Sequence, residues 1–110
     1  MKTVVVLNND HMGHGDATLG QKILATFLRK CTALKGLTAI VLYNSGVKLI
    51  IRGSPVLAEL HQLHDAGVDL RPCGTCLDYY KLRDQVELVP PSNMDEIIQE
   101  LDRAEKIITL

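Results

Sequence analysis

Thr3-Val4-Val5-Val6-Leu7, followed at once by Asn8-Asn9-Asp10-His11-Met12-Gly13-His14-Gly15-Asp16, decides the fold. The first five residues show no polar alternation. An unbroken run rich in β-branched side chains belongs to a strand covered on both faces, the habit of parallel sheets. The polar, glycine-bearing run is a loop, and it opens a helix predicted over residues 17–34. There Leu19, Ile23, Phe27, Cys31 and Leu34 share one stripe, with Leu24 and Leu28 beside it. Gly36 stands where a helix ends on glycine.

Outward from that unit the alternation repeats. A second strand is predicted over Leu37–Tyr43. Residues 46–51 fit two patterns: Val47, Leu49 and Ile51 alternate, while Val47, Ile50 and Ile51 suit a helical turn. A short helix is favoured, because Asn44 or Ser45 can cap it. Ser54-Pro55 starts a further helix to about Ala66, ended by Gly67. A third strand follows at Val68–Pro72, a short helix at Cys73–Leu82 and a fourth strand at Val86–Val89. Ser92 opens the last helix, with Asp95 as an acidic capping-box partner and Ile97, Ile98, Leu101 and Ala104 facing inward. Lys106–Leu110 is the fifth strand. Strands separated by helices pair in parallel through right-handed crossovers. The expected fold is therefore α/β: one domain over residues 1–110, a three-layer α/β/α sandwich with a five-stranded parallel sheet.

Composition narrows the function. At 110 residues there is room for one domain with one core. Twelve basic and 13 acidic side chains give a net charge of −1, so no broad nucleic-acid footprint is expected. No apolar run nears the ~20 residues that span a bilayer, and Met1 to Asn8 turns polar too soon for a signal peptide. Three cysteines, an odd number, suit a reducing cytoplasm, where the chain is expected.

In a parallel sheet, sites form beyond the carboxyl ends of the strands. Three loops lie there: Asn8–Asp16, Cys73–Cys76 and Pro90–Asn93. Cys73-Gly74-Thr75-Cys76 is the sharpest signal, because it ends a strand and opens a helical turn. Thiols there feel the positive end of the helix dipole, which favours the nucleophilic thiolate, so an exposed, ionised pair is expected. Gly74 permits close approach of a second reactant. The plain alternative is a pair of structural cysteines, yet Pro-Cys-Gly-Thr-Cys is turn chemistry rather than core packing. A thioredoxin-like fold would place the pair after its first βα unit, and here two strands and three helical segments come before the strand that carries it. Zinc held by Cys73, Cys76, His11 and His14 is chemically reasonable, but no second Cys pair stands at finger spacing, and His61 and His64 read as a solvated face. No metal is assigned.

The 10–16 loop suits an anion at a helix N-terminus. It lacks the dinucleotide fingerprint, since Gly20 comes too late, and it lacks a P-loop lysine, so no cofactor is expected. Asp16 caps the first helix, and Cys31 lies on its apolar stripe as a core residue. Candidate catalytic residues are Cys73 and Cys76. Candidate binding residues are Met12, Gly13, His14, Gly15, Asp16, Gly74, Thr75 and Asn93. Tyr79 and Tyr80 cover the thiols or simply pack.

These stretches resemble a known family. Met12-Gly13-His14-Gly15-Asp16 with Leu19-Gly20 is similar to the MGxGDxxLG stretch of DsrE/DsrF-like sulfur-relay proteins. Cys73 to Tyr80 resembles the CGTCLD(Y/F) motif of the YedF-type branch, as do Asn44 to Leu49 and Ser92-Asn93-Met94 with Glu96-Ile97. The resemblance implies a DsrE-like sheet of five parallel strands and homo-oligomers, trimers or hexamers. It implies a cysteine persulfide at Cys73, with Cys76 the extra thiol of the paired branches, and a link to selenium metabolism. It also implies that the donor is a separate protein, for which a TusA-like domain is the model. Tyr80-Lys81 stands where other relay members carry Arg-Gly, which implies a different handoff surface. The expected activity is sulfur (or selenium) carriage, Cys73 attacking a donor persulfide with Gly74 N–H and the helix terminus steadying the anion. The alternative is a non-catalytic dithiol redox-sensing, metal-binding or partner-binding module.

Overall fold

The structure, a computed structural model, describes residues 2–110. Strand β1 (Thr3–Leu7) is buried at every position. It lies between β2 (Leu37–Leu42) and β4 (Lys106–Thr109), and β3 (Asp69–Pro72) pairs with the far side of β2. All pairings are parallel, with Val4 beside Ala39 and Ile107, and Leu42 beside Pro72. The chain thus steps one way through β1, β2 and β3, then crosses back to β4. Right-handed crossovers put helices α1 (Ala17–Lys30) and α2 (Leu57–Asp65) on one face and α4 (Met94–Arg103) on the other. Accordingly α1 packs on α2, and α4 on β2.

The sheet has four strands among the described residues, not five. Residues 86–89 turn away from it. Val86 forms an antiparallel bridge with Ile51, and the Glu87 N–H donates to the Ile50 carbonyl at 2.9 Å. Leu88 then takes φ +73, which ends any extended run. Pro90 and Pro91 have no N–H to offer a ladder. Only Ser92 reaches the edge of β3. Its N–H donates to the Pro72 carbonyl at 2.7 Å, and its carbonyl accepts from Gly74 N–H at 2.9 Å.

Packing also rotates two helices from their expected faces. On α1 the buried stripe is Gly20, Leu24 and Leu28, continuing into Cys31, whereas Leu19 and Ile23 are 56% and 41% exposed. Gly20 explains this. A Cβ there would stand 2.9 Å from both the His11 Cβ and the Met12 carbonyl, so the missing side chain lets the 11–12 loop seat on the helix. On α4, Ile97 is buried but Ile98 is exposed. Buried Glu100 takes an inner place instead, accepting from Arg71 Nε at 3.1 Å and Arg103 at 3.3 Å. The α4 cap is Asn93, one residue later than expected: its Oδ1 accepts the Glu96 N–H at 2.8 Å, while Ser92 Oγ donates to Glu96 Oε1. Similarly α2 starts at Leu57, because Ser54 Oγ holds the Val56 N–H in a turn first.

Cys31 occupies the core, where burial pushes its thiol from the ordinary 9.0 up to about 11. Folding therefore opposes its ionisation. The contribution is complete below about pH 9 and is lost as pH rises toward 11, by about 1.4 kcal/mol per unit. Denaturant melts at pH 8 and 10.5 are expected to fall further apart for the wild type than for Cys31→Ala, by about 2 kcal/mol. Equal differences would contradict this burial.

Candidate functional site

Strand β3 delivers Cys73 to the carboxyl edge of the sheet, and the chain turns there into α3 (Gly74–Tyr79). The turn is held on three sides. Cys73 N–H donates to the Leu42 carbonyl at 2.9 Å, the Cys73 carbonyl accepts from Leu77 N–H at 3.0 Å, and Gly74 N–H is spent on Ser92. Gly74 is required by this closeness: a Cβ would come 2.8 Å from the Ser92 carbonyl oxygen and 2.7 Å from the Arg83 guanidinium. Arg83 is fixed there by a two-point pair with Asp78, at 2.6 and 3.1 Å. That hydrogen bonding holds the Asp78 carboxyl below its usual range.

The two thiols differ in environment. Cys73 is only 2% exposed, so the expected exposed pair is corrected to one covered and one accessible thiol. Cys76 is half-buried and lines a cleft of about 410 Å³ with Asn44, Thr75, Tyr79 and Tyr80. The two side chains are close enough to influence each other, and both are free thiols. Asn44 N–H donates to Cys76 Sγ at 3.1 Å. Asn44 holds φ +51, a left-handed conformation that Asn tolerates better than most residues. Its side-chain oxygen accepts from Tyr80 Oη at 3.1 Å and from Ser45 N–H at 2.8 Å. Lys48 Nζ lies 4.5 Å over the Tyr80 ring, and Tyr79, 81% exposed, meets that ring edge-on.

Burial pushes the Cys76 thiol above the ordinary thiol value. The Asn44 N–H pulls the other way, and the Cys73 side chain adds a smaller upward push. The net push is upward, which disfavours the Cys76 thiolate. Gly74 N–H, already bonded to Ser92, is not the group beside the sulfur; Asn44 N–H is. Asn44 was legible as a helix-cap candidate and by its position, but nothing in the sequence tied its main chain to the thiol. It follows the carboxyl end of β2, at the same edge as the other loops.

The remaining candidates lie apart from the thiols. Met12, Gly13, His14, Gly15 and Asp16 line their own groove of about 200 Å³ with Leu19, Gly20 and Ile23. Asp16 is committed to capping α1, accepting the Leu19 N–H at 2.7 Å. This loop meets the thiol side through Ser45 Oγ, which accepts from Asp10 N–H and donates to Asn9 Oδ1. Asn93, besides capping α4, borders a third depression with Pro90, Pro91, Arg71 and Glu96. Structure therefore unites Cys73, Gly74, Thr75 and Cys76 and separates the other two groups. His11 Nδ1 pairs with Asp10 at 2.8 Å, and among the described residues no three His, Cys, Asp or Glu side chains gather as metal ligands.

A model of the DsrE/DsrF-like family matches residues 1–110. The chain belongs to that family. The fold recurs in the YchN protein of E. coli, at TM-score 0.71 and 21% identity over 100% of both chains. It recurs in MTH1491 of Methanobacterium thermoautotrophicum, a protein of unknown function, at TM-score 0.72 and 20% identity over 99% of this chain and 98% of that one. BT1422 of Bacteroides thetaiotaomicron, a conserved protein of unknown function, matches at TM-score 0.70 and 17% identity, covering 99% and 94%. No curated protein matches the sequence significantly. On this DsrE/DsrF-like scaffold, a dithiol sits where one sulfur opens on a cleft and the other lies behind it. Such a pair can accept a sulfur atom or close to a disulfide. No helix among the described residues is long and apolar enough to cross a membrane.

Proposed function

We propose that this DsrE/DsrF-like protein is a sulfurtransferase-like carrier of YedF type, holding a sulfur atom, or selenium in its place, on the Cys73–Cys76 pair. The observation that carries it is Cys76 Sγ at the cleft wall, under a main-chain N–H and beside a second thiol. A cysteine attacks the outer sulfur of a donor persulfide. A new S–S bond forms at the cysteine, the donor S–S bond breaks, and the donor leaves as a thiol with the proton, so no outside oxidant or reductant enters. The donor is a separate protein of TusA-like chemistry, and the carrier works in the cytoplasm without nucleic acid, membrane, metal or cofactor. Exposed Leu19, Ile23, Met94, Ile98 and Ile107 support assembly with further copies of the chain, as a trimer or hexamer. The contact between the two thiols also favours a second reading, a dithiol–disulfide sensor.

The test is intact-mass spectrometry after incubation with glutathione persulfide. Wild type is expected to gain the mass of one sulfur atom, and the Cys73→Ser/Cys76→Ser protein to gain none. An unmodified wild type, or an adduct surviving the double substitution, overturns carriage. Loss of two thiols on mild oxidation without any sulfur uptake favours the sensor.

A further inference from the structure

We infer that Cys76, not Cys73, is the thiol that meets the sulfur donor, and that the Asn44 main-chain N–H is the group that steadies its anionic sulfur. The inference rests on the carrier reading and divides the roles of its two cysteines. Cys73 is buried, and its backbone is tied to Leu42, Leu77 and the Ser92 segment. An attacking thiol and its donor sulfur must approach in line, and a sulfur with almost no accessible surface offers no such path. Cys76 lines the cleft, one helical turn further on.

The second strand of the case is Asn44. A hydrogen bond to a charged sulfur is worth more than one to a neutral thiol, so a donor aimed at Sγ favours the thiolate that attacks. Asn44 provides that donor from a left-handed conformation, and strained backbone of this kind persists where the surroundings hold it. Here the Tyr80 hydroxyl and Ser45 N–H hold the Asn44 side chain, and Lys48 sits on the Tyr80 ring. In the entry step, Cys76 loses its proton to solvent, its sulfur bonds the outer sulfur of the donor persulfide, and the donor thiolate leaves and takes up a proton. Electrons balance without an external partner. Cys73 stands one helical turn away, as the N-cap of α3.

Initial rates of sulfur uptake from glutathione persulfide, read by intact mass on the two single variants, test the order. Cys76→Ser is expected to load at least tenfold more slowly than Cys73→Ser. Equal loading, or loss of uptake only in Cys73→Ser, overturns Cys76 as the entry point while leaving carriage intact. Iodoacetamide labelling of the wild type, mapped by peptide mass, adds a readout independent of carriage: Cys76 is expected to label at least tenfold faster than Cys73. A protein that labels so but takes up no sulfur fails the carrier reading instead. For Asn44, the pH profile of Cys76 labelling decides. Asn44→Val, disfavoured at positive φ, is expected to move the midpoint upward, with about tenfold slower labelling at neutral pH. Asn44→Gly tolerates positive φ and keeps the N–H, and is expected to shift the profile less than Asn44→Val. Identical profiles for all three proteins overturn the role of Asn44.

Discussion

Replacing Gly46 by alanine is expected to lower folding stability by about 3 kcal/mol, at the upper end of what overpacking costs. Gly46 belongs to the tight helical segment Asn44–Ile50 that follows β2. An added Cβ would collide with the carbonyl group of Leu7 and crowd the Asn9 amide. The obstacle is backbone, not a flexible side chain, so it cannot swing aside. That carbonyl already accepts the Tyr43 N–H at 3.1 Å, and Leu7 is buried at the end of the central strand. Either β1 or the 44–50 segment must shift. A shift of 44–50 also moves Asn44 away from Cys76. A fall in melting temperature of roughly 12 °C is expected, using about 4 °C per kcal/mol for a domain of this size. An unchanged midpoint would mean that the two segments are not in contact as described.

Leu77→Ala is expected to cost about 3 kcal/mol, within the range for truncating a fully buried leucine. Leu77 is 0% exposed and is the apolar anchor of α3. A helix of six residues has no stability of its own, so its place depends on that contact. Leu77 N–H also closes the first turn on the Cys73 carbonyl, so labelling of the Cys73 thiol is expected to speed up when that turn loosens in the folded protein. Urea melts with an unchanged slope, together with thiol labelling, measure both effects. Tyr79→Ala, on the exposed face of the same helix, is the contrast: a change within about 0.5 kcal/mol is expected. Comparable losses for the two substitutions would show that α3 is not docked through Leu77.

What the amino-acid order determined by itself is local. The Thr3–Leu7 run forms the central strand, since five residues without polar alternation suit only an element covered on both faces. Asp16 caps α1 because a carboxylate two or three residues ahead of free N–H groups binds them wherever the helix lies. The Pro72-Cys73-Gly74 turn from strand to helix is likewise written in neighbouring residues.

Coverage and alignment were decided by segments distant in the chain. Gly20 turned α1 because the 11–12 loop folds back on it, and Glu100 became an inner residue because Arg71 reaches it from β3. The 86–89 stretch has strand-like composition, but Ile51 captured Val86 and two prolines left nothing to pair. Above all, the Cys-Gly-Thr-Cys spacing treats its two thiols alike. Their difference comes from the burial of Cys73 where β3 ends in the core, and from Asn44, 32 residues away, whose amide meets the other. Periodicity and turn chemistry act over a few residues, whereas burial and hydrogen-bond direction at a sulfur depend on how whole elements meet.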